Sequence, residues 1–193
     1  QAYGWQNMTI WGDRQMAVAG LAKLNYASLQ QKGTAMIMMR RMNEIYLNGV
    51  SGLQNYGILN DPSLPASITP GSKTAGGYTW ANGTAAEIYT DIVSLFQQLV
   101  SQTNGLVDRE TRMVLATTPA VEANLTKTNQ YNVNVTDQIV KNFPNIRFET
   151  VPEYATTAGE VVQLIAEQVN GQDTGVCGFT EKLRTHPIIR QKS

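Results

Sequence analysis

Cys177 and His186 are the single cysteine and the single histidine of the chain. Together they are the residue types of a thiol–imidazole nucleophilic pair. His186 precedes Pro187, which favours an extended backbone. It reads as a hydrogen-bonded structural histidine, with a general base as the other reading. Cys177 sits between Val176 and Gly178 with no Lys or Arg beside it to stabilise a thiolate, so it reads as a buried structural thiol. Glu87 and Asp91 stand four apart, a spacing that puts both carboxylates on one helix face. The simpler reading makes Glu87 the acid of a helix cap and Asp91 a first-turn residue favoured by the helix dipole. Metal ligation needs more partners than these, and one Cys with one His excludes most zinc sites. The glycines of 49–57 follow a helix rather than a strand, and no Gly-Lys-Ser/Thr is present, so they form no phosphate loop. Asn7, Asn82, Asn124 and Asn134 each open an Asn-x-Thr triplet, which an Asn- and Thr-rich chain produces readily. No catalytic, cofactor or metal-binding residue is expected, and the chain is not expected to be an enzyme.

Two apolar groups are candidates for binding instead. Met36, Met38, Met39 and Met42 fall at helical spacing, which suggests core packing or an adaptable contact stripe. Tyr3, Trp5 and Trp11 suit either stacking on a ligand or docking on a partner chain.

The elements that must position these residues follow from periodicity and punctuation. Residues 1–11 read as extended. From Asp13, taken as an N-cap, to Asn48 the apolar pattern is helical. Gly33-Thr34 could bend or split this helix, and Gly49 closes it. Unbroken, it would be about 50 Å long. Residues 49–83 are rich in Gly and Pro and read as loops with short strands. Thr84-Ala85-Ala86-Glu87 is a capping box. Behind it Ile88, Ile92, Leu95, Phe96 and Leu99 form one stripe, and Gly105 ends the helix. Met113–Ala116 reads as a buried strand. Thr118-Pro119 opens a short helix, and Thr136 caps another through Phe143. Ile146–Thr150 alternates as a half-buried strand, and Val161–Ala166 reads as a further one. Loops follow around Gly171, Gly175 and Gly178. The fold class is α+β, with helix 84–104 packed on a small sheet of 113–116, 146–150 and 161–166.

The chain has 193 residues, 42% hydrophobic and 16% charged, with 15 Lys and Arg against 15 Asp and Glu. That length serves one domain, or one domain with a second packed lobe. Zero net charge removes the electrostatic footprint of a duplex-binding domain. No apolar run approaches the roughly 20 residues that span a bilayer. A weakly charged, amide-rich surface repels its own copies poorly, which suits a protein that packs against itself.

The order of the elements carries a resemblance. A long helix ends in Asn48-Gly49-Val50-Ser51-Gly52-Leu53-Gln54-Asn55-Tyr56-Gly57-Ile58-Leu59-Asn60. A loop with Trp80 leads to the capped helix at Thr84, followed by Leu115-Ala116-Thr117-Thr118-Pro119 and by Phe143-Pro144-Asn145. In this the chain resembles the major capsid proteins of tailed bacteriophages, the Hong Kong 97-type fold that encapsulin shells also use. The segment Glu181–Pro187 is similar to that family's return to its peripheral domain. The resemblance implies a peripheral-domain part with a long spine helix at 1–48, an axial domain at 49–168 with a small sheet flanked by helices, and a return segment at 169–193. The chain is shorter than such proteins usually are, so a trimmed piece is expected.

What the resemblance further implies is a structural protein. Copies would join through heterologous, hexamer- and pentamer-like ring interfaces into an icosahedral shell. The shell would enclose double-stranded DNA without reading its sequence, and scaffolding or portal proteins are possible partners. The place would be the virion capsid, assembled in the bacterial host cytoplasm. Gly49, Gly52, Leu53, Tyr56 and Gly57, with Trp5 and Trp11, are the expected hinge and assembly residues. The alternatives are an encapsulin-type compartment, an unrecognised enzyme built on Cys177, His186 or Glu87, and a monomeric binding module.

Overall fold

A computed structural model describes residues 3–178 with Arg184, His186 and Ile189. Two compact units divide it: unit 1 comprises Gln1–Leu64 and Cys177–Ser193, and unit 2 comprises Pro65–Val176. The expected return segment Glu181–Pro187 lies outside the described residues except for Arg184 and His186, both exposed.

In unit 1, residues 3–12 carry no helix or strand. Helix α1 spans Asp13–Leu21 and α2 spans Tyr26–Asn48. Gly12, not Asp13, is the N-cap of α1, with the Gln15 side chain accepting from its N–H at 3.1 Å. The single long helix of the sequence reading is therefore two. The break falls at Ala22–Asn25 rather than at Gly33, which lies inside α2. Its cause is local: Lys23 takes a left-handed φ of 54°, and the Asn25 side chain accepts from Ser28 N at 3.2 Å to cap the new helix. The 23 residues of α2 make about 35 Å.

After α2 the chain folds back on the helix end. Gly49 N donates to Ile45 O at 2.8 Å, Ile58 N to Tyr46 O at 3.0 Å and Leu59 N to Leu47 O at 2.9 Å. Val50 and Asn55 form an antiparallel bridge.

In unit 2, α3 spans Ala85–Gln102, β1 Met113–Thr117, α4 Pro119–Glu122, α5 Val135–Asn142 and β2 Ile146–Thr150. The short strands β3 (Ala155–Thr156), β4 (Gly159–Glu160), β5 (Gln163–Ala166), β6 (Gln168–Val169) and β7 (Gln172–Asp173) follow. The main sheet has the order β2-β1-β5, the three strands expected, with β5 beginning two residues later than read. β1 runs parallel to β2, Leu115 opposite Phe148, and antiparallel to β5, Leu115 opposite Leu164. Side chains on both faces of β1 are buried or half-buried, which is why Met113–Ala116 is an unbroken apolar run.

The capping box of α3 forms as expected. Its stripe supplies Ile88 and Ile92 to a core with Met113, Leu115, Leu125, Val135 and Ile139. Phe96 packs on Phe143 with ring centroids 4.8 Å apart. Thr118 caps α4 with Pro119 in its first turn. The cap of α5 is Asn134, not Thr136: its Oδ1 accepts from Asp137 N at 2.6 Å. β6 and β7 turn through Asn170 and Gly171, φ 52° and 75°, the Asn-Gly signal of a tight hairpin.

Candidate functional site

The residues that could do chemistry are divided between the two units. Cys177 is a free, exposed thiol, which corrects its reading as a buried one. Residues 175–178 around it carry no helix or strand. His186 is exposed. Glu87 belongs to unit 2, while Cys177 and His186 belong to unit 1. Among the described residues no group of three His, Cys, Asp or Glu could hold a metal ion, and no helix is long and apolar enough to cross a membrane.

The carboxylates Glu87 and Asp91 face the preceding loop and hold it on α3. Glu87 Oε2 accepts from Thr84 N at 2.7 Å and from the Thr84 hydroxyl at 2.9 Å. Its Oε1 accepts from Thr74 N and the Thr74 hydroxyl, both at 2.7 Å. The Thr84 N–H foremost, then the Thr74 hydroxyl and N–H, hold its pKa down at about 2. One turn on, Asp91 pairs with Lys73, their side chains 10% and 1% exposed. Asp91 also accepts from Trp80 Nε1 at 2.8 Å and Gly71 N at 3.1 Å. Lys127 closes the other side, its Nζ donating to the carbonyls of Trp80, Ala81 and Gly83 at 2.7–2.9 Å.

Sequence reasoning identified Glu87 as the capping acid. It named Asp91 too but read it as a first-turn dipole residue, whereas Asp91 lies in the second turn of α3 and is buried against Lys73, and it missed Lys73 and Lys127. One signal pointed to Asp91: the indole N–H of a buried Trp needs an acceptor, and Trp80 is followed closely by a carboxylate on a helix face. These groups bind loop to helix, and every polar atom named is satisfied within unit 2. The arrangement is a structural clasp of loop on helix.

The residues expected to act in assembly lie in unit 1. Gly49 (φ 66°) and Gly57 sit in the turn after α2, where a Cβ would overlap the Asn55 carbonyl and the Leu47 carbonyl respectively. Gly52 has φ 82° and open space around it. Leu53 is half-buried and Tyr56 exposed. Asn60 braces the turn, its Oδ1 accepting from Gly57 N at 2.7 Å and its Nδ2 donating to Asn48 O at 2.6 Å. Trp5 and Trp11 are half-buried in the irregular N-terminal segment, which Thr9 ties to Thr34 of α2 through their hydroxyls.

The methionines depart from the core-packing reading. Met36, Met39 and Met42 are exposed and only Met38 is half-buried. Among the described residues, the buried apolar side chains of unit 1 are Ala19 and Leu47. Periodicity found the stripe but could not say whether this chain covers it. Two open grooves accompany these surfaces. One of about 450 Å³ in unit 1 runs along Arg14, Val18, Ala22 and Tyr26. The other, about 390 Å³ in unit 2, is lined by Pro119, Glu122, Leu125 and Phe148.

Several chains of solved structures match this fold. One belongs to the capsid of Myoviridae phage XM1, with a TM-score of 0.60 and 18% sequence identity. The match covers 77% of this chain and 50% of that one, so the chain spans about half the length of this structural relative. No curated protein sequence matches. The family model of the Pa193 gp26 major capsid protein matches residues 1–193. The chain therefore belongs to the Pa193 gp26 major capsid protein family, structural proteins of the phage capsid and not enzymes.

Proposed function

We propose that this capsid protein joins copies of itself, through hexamer- and pentamer-like rings, into an icosahedral shell that encloses double-stranded DNA. The observation that carries the reading is the family match over every residue. The exposure of Leu21, Leu29, Met36 and Met39 supports it, because unit 1 leaves uncovered the side chains that a monomer would bury. In this reading α2 is the spine helix of the peripheral part, residues 49–168, which unit 2 largely overlaps, form the axial domain, and residues 169–193 are the return segment. Gly49, Gly52, Leu53, Tyr56 and Gly57 set the direction in which the chain leaves α2, and Trp5 and Trp11 meet a neighbouring copy. Assembly takes place in the bacterial host cytoplasm, with scaffolding and portal proteins as further partners.

The full-length protein is tested by light scattering across concentration and by negative-stain electron microscopy. Closed particles of uniform diameter are expected. A protein that stays monomeric, with no rings or shells, overturns the proposal. Nuclease-resistant double-stranded DNA inside particles purified from infected cells separates a phage capsid from a compartment that encloses protein cargo.

A further inference from the structure

The zero net charge of the chain conceals a segregation. Unit 1 carries nine Lys and Arg against four Asp and Glu, a net +5, and unit 2 carries six against eleven, a net −5. The cations of unit 2 are also partly spent internally. Lys73 is buried against Asp91, and Lys127 is committed to three carbonyls. The outer surface of unit 2 is therefore acidic.

On α2 the positive charge lies among uncovered apolar groups. At 100° per residue, Leu29, Lys32, Met36, Met39 and Arg40 fall within one face about 100° wide. Leu29 is 56%, Met36 72% and Met39 59% exposed, and Lys32 and Arg40 are exposed as well. A face meant for phosphates would not alternate its cations with two methionines and a leucine. A protein groove accepts both, since methionine fills irregular apolar space and the cations seek carboxylates. Unit 2 offers such a groove, apolar along Pro119, Leu125 and Phe148, with Glu122 the one charged group lining it.

We propose that the Leu29–Arg40 face of α2 in one copy seats in the Glu122 groove of unit 2 of a second copy. This rests on the shell reading and specifies how one of its contacts is made. The contact is heterologous, because the two patches differ, so each copy offers one of each and the pairing propagates from copy to copy. Opposite charges set its register and speed the encounter, while the apolar side chains supply the area. Its electrostatic part weakens with salt, because the Debye length falls from about 10 Å at 0.1 M to about 3 Å at 1 M.

The test uses charge exchange in the full-length protein. Lys32→Glu/Arg40→Glu and Glu122→Lys are prepared separately, and circular dichroism checks that each folds. Each alone is expected to need roughly tenfold more protein than wild type to assemble at about 50 mM salt, from the loss of attraction and the gain of repulsion. Mixed in equal amounts, they are expected to co-assemble near the wild-type concentration, because each variant then meets a complementary patch on the other. Single variants that assemble like wild type overturn the inference, as does a mixture no better than its components. Binding of a double-stranded DNA fragment that Lys32→Glu/Arg40→Glu abolishes while leaving assembly intact also overturns it, by giving the face to nucleic acid. A wild-type protein that never assembles instead overturns the shell reading beneath it.

Discussion

Lys73 and Asp91 show what a single buried pair does in a chain with few charges. The carboxylate accepts from an ammonium, an indole and a main-chain N–H, so removing the ammonium leaves a largely buried charge without its counter-ion. Lys73→Ala is expected to cost about 3–5 kcal/mol, the penalty of an uncompensated buried charge, read as a shift in the urea unfolding midpoint. Glu87 makes a prediction about pH. Its folded pKa of about 2 lies below the ordinary 4.5, so the unfolded chain binds its proton first as pH falls. The stability it contributes is complete above the ordinary carboxylate range and is lost as pH drops toward 2. Melting temperatures of wild type and Glu87→Gln are expected to differ most above about pH 5 and to converge near pH 2.

Helix α2 and the turn that ends it are the elements on which the capsid reading leans. The turn is laced to the helix by main-chain bonds from Gly49, Ile58 and Leu59, and Gly57 fits there only because it lacks a Cβ. Gly57→Ala is expected to lose about 2–3 kcal/mol, since the atom in the way is main chain and cannot move aside cheaply. Gly33, inside α2 with nothing within 4 Å of an added Cβ, should behave in the opposite way. Gly33→Ala is expected to gain about 0.4–1 kcal/mol by narrowing the unfolded ensemble. Thermal melting of the two variants beside wild type checks both signs.

At the scale of the whole molecule, burial is unequal. Ile88, Ile92, Met113, Leu115, Val135 and Ile139 are sealed in unit 2, whereas unit 1 keeps much of its apolar surface in water. Stability should follow burial. In the unassembled chain, amide exchange followed by mass spectrometry is expected to be slowest in α3 and β1 and fast in α1 and α2. On assembly α2 is expected to gain protection while β1, already sealed, changes little. Equal protection of α2 and β1 in the free chain would contradict this account.

The elements that local chemistry specifies were legible in the residues. The capping box at Thr84 and Glu87, the proline-led turn at Thr118, and the apolar run of β1 each need only neighbours in sequence to act. Where two local signals competed, the reading slipped. Asn25 rather than Gly33 divides the long helix, and Asn134 rather than Thr136 caps α5, because a side-chain oxygen that reaches a free N–H outweighs composition. Residues that depend on distant partners were hidden. Lys73 stands 18 residues from Asp91 and Lys127 more than 40 from the carbonyls it holds, and no periodicity links such positions. The sequence by itself determined which side chains are apolar and where α3, α4, α5, β1 and β2 lie, since hydrogen bonding and side-chain period act over a few residues. Only the tertiary structure decided which apolar stripe is sealed and which is left uncovered: burial is a property of what other segments bring to a face, and for α2 the described residues bring little.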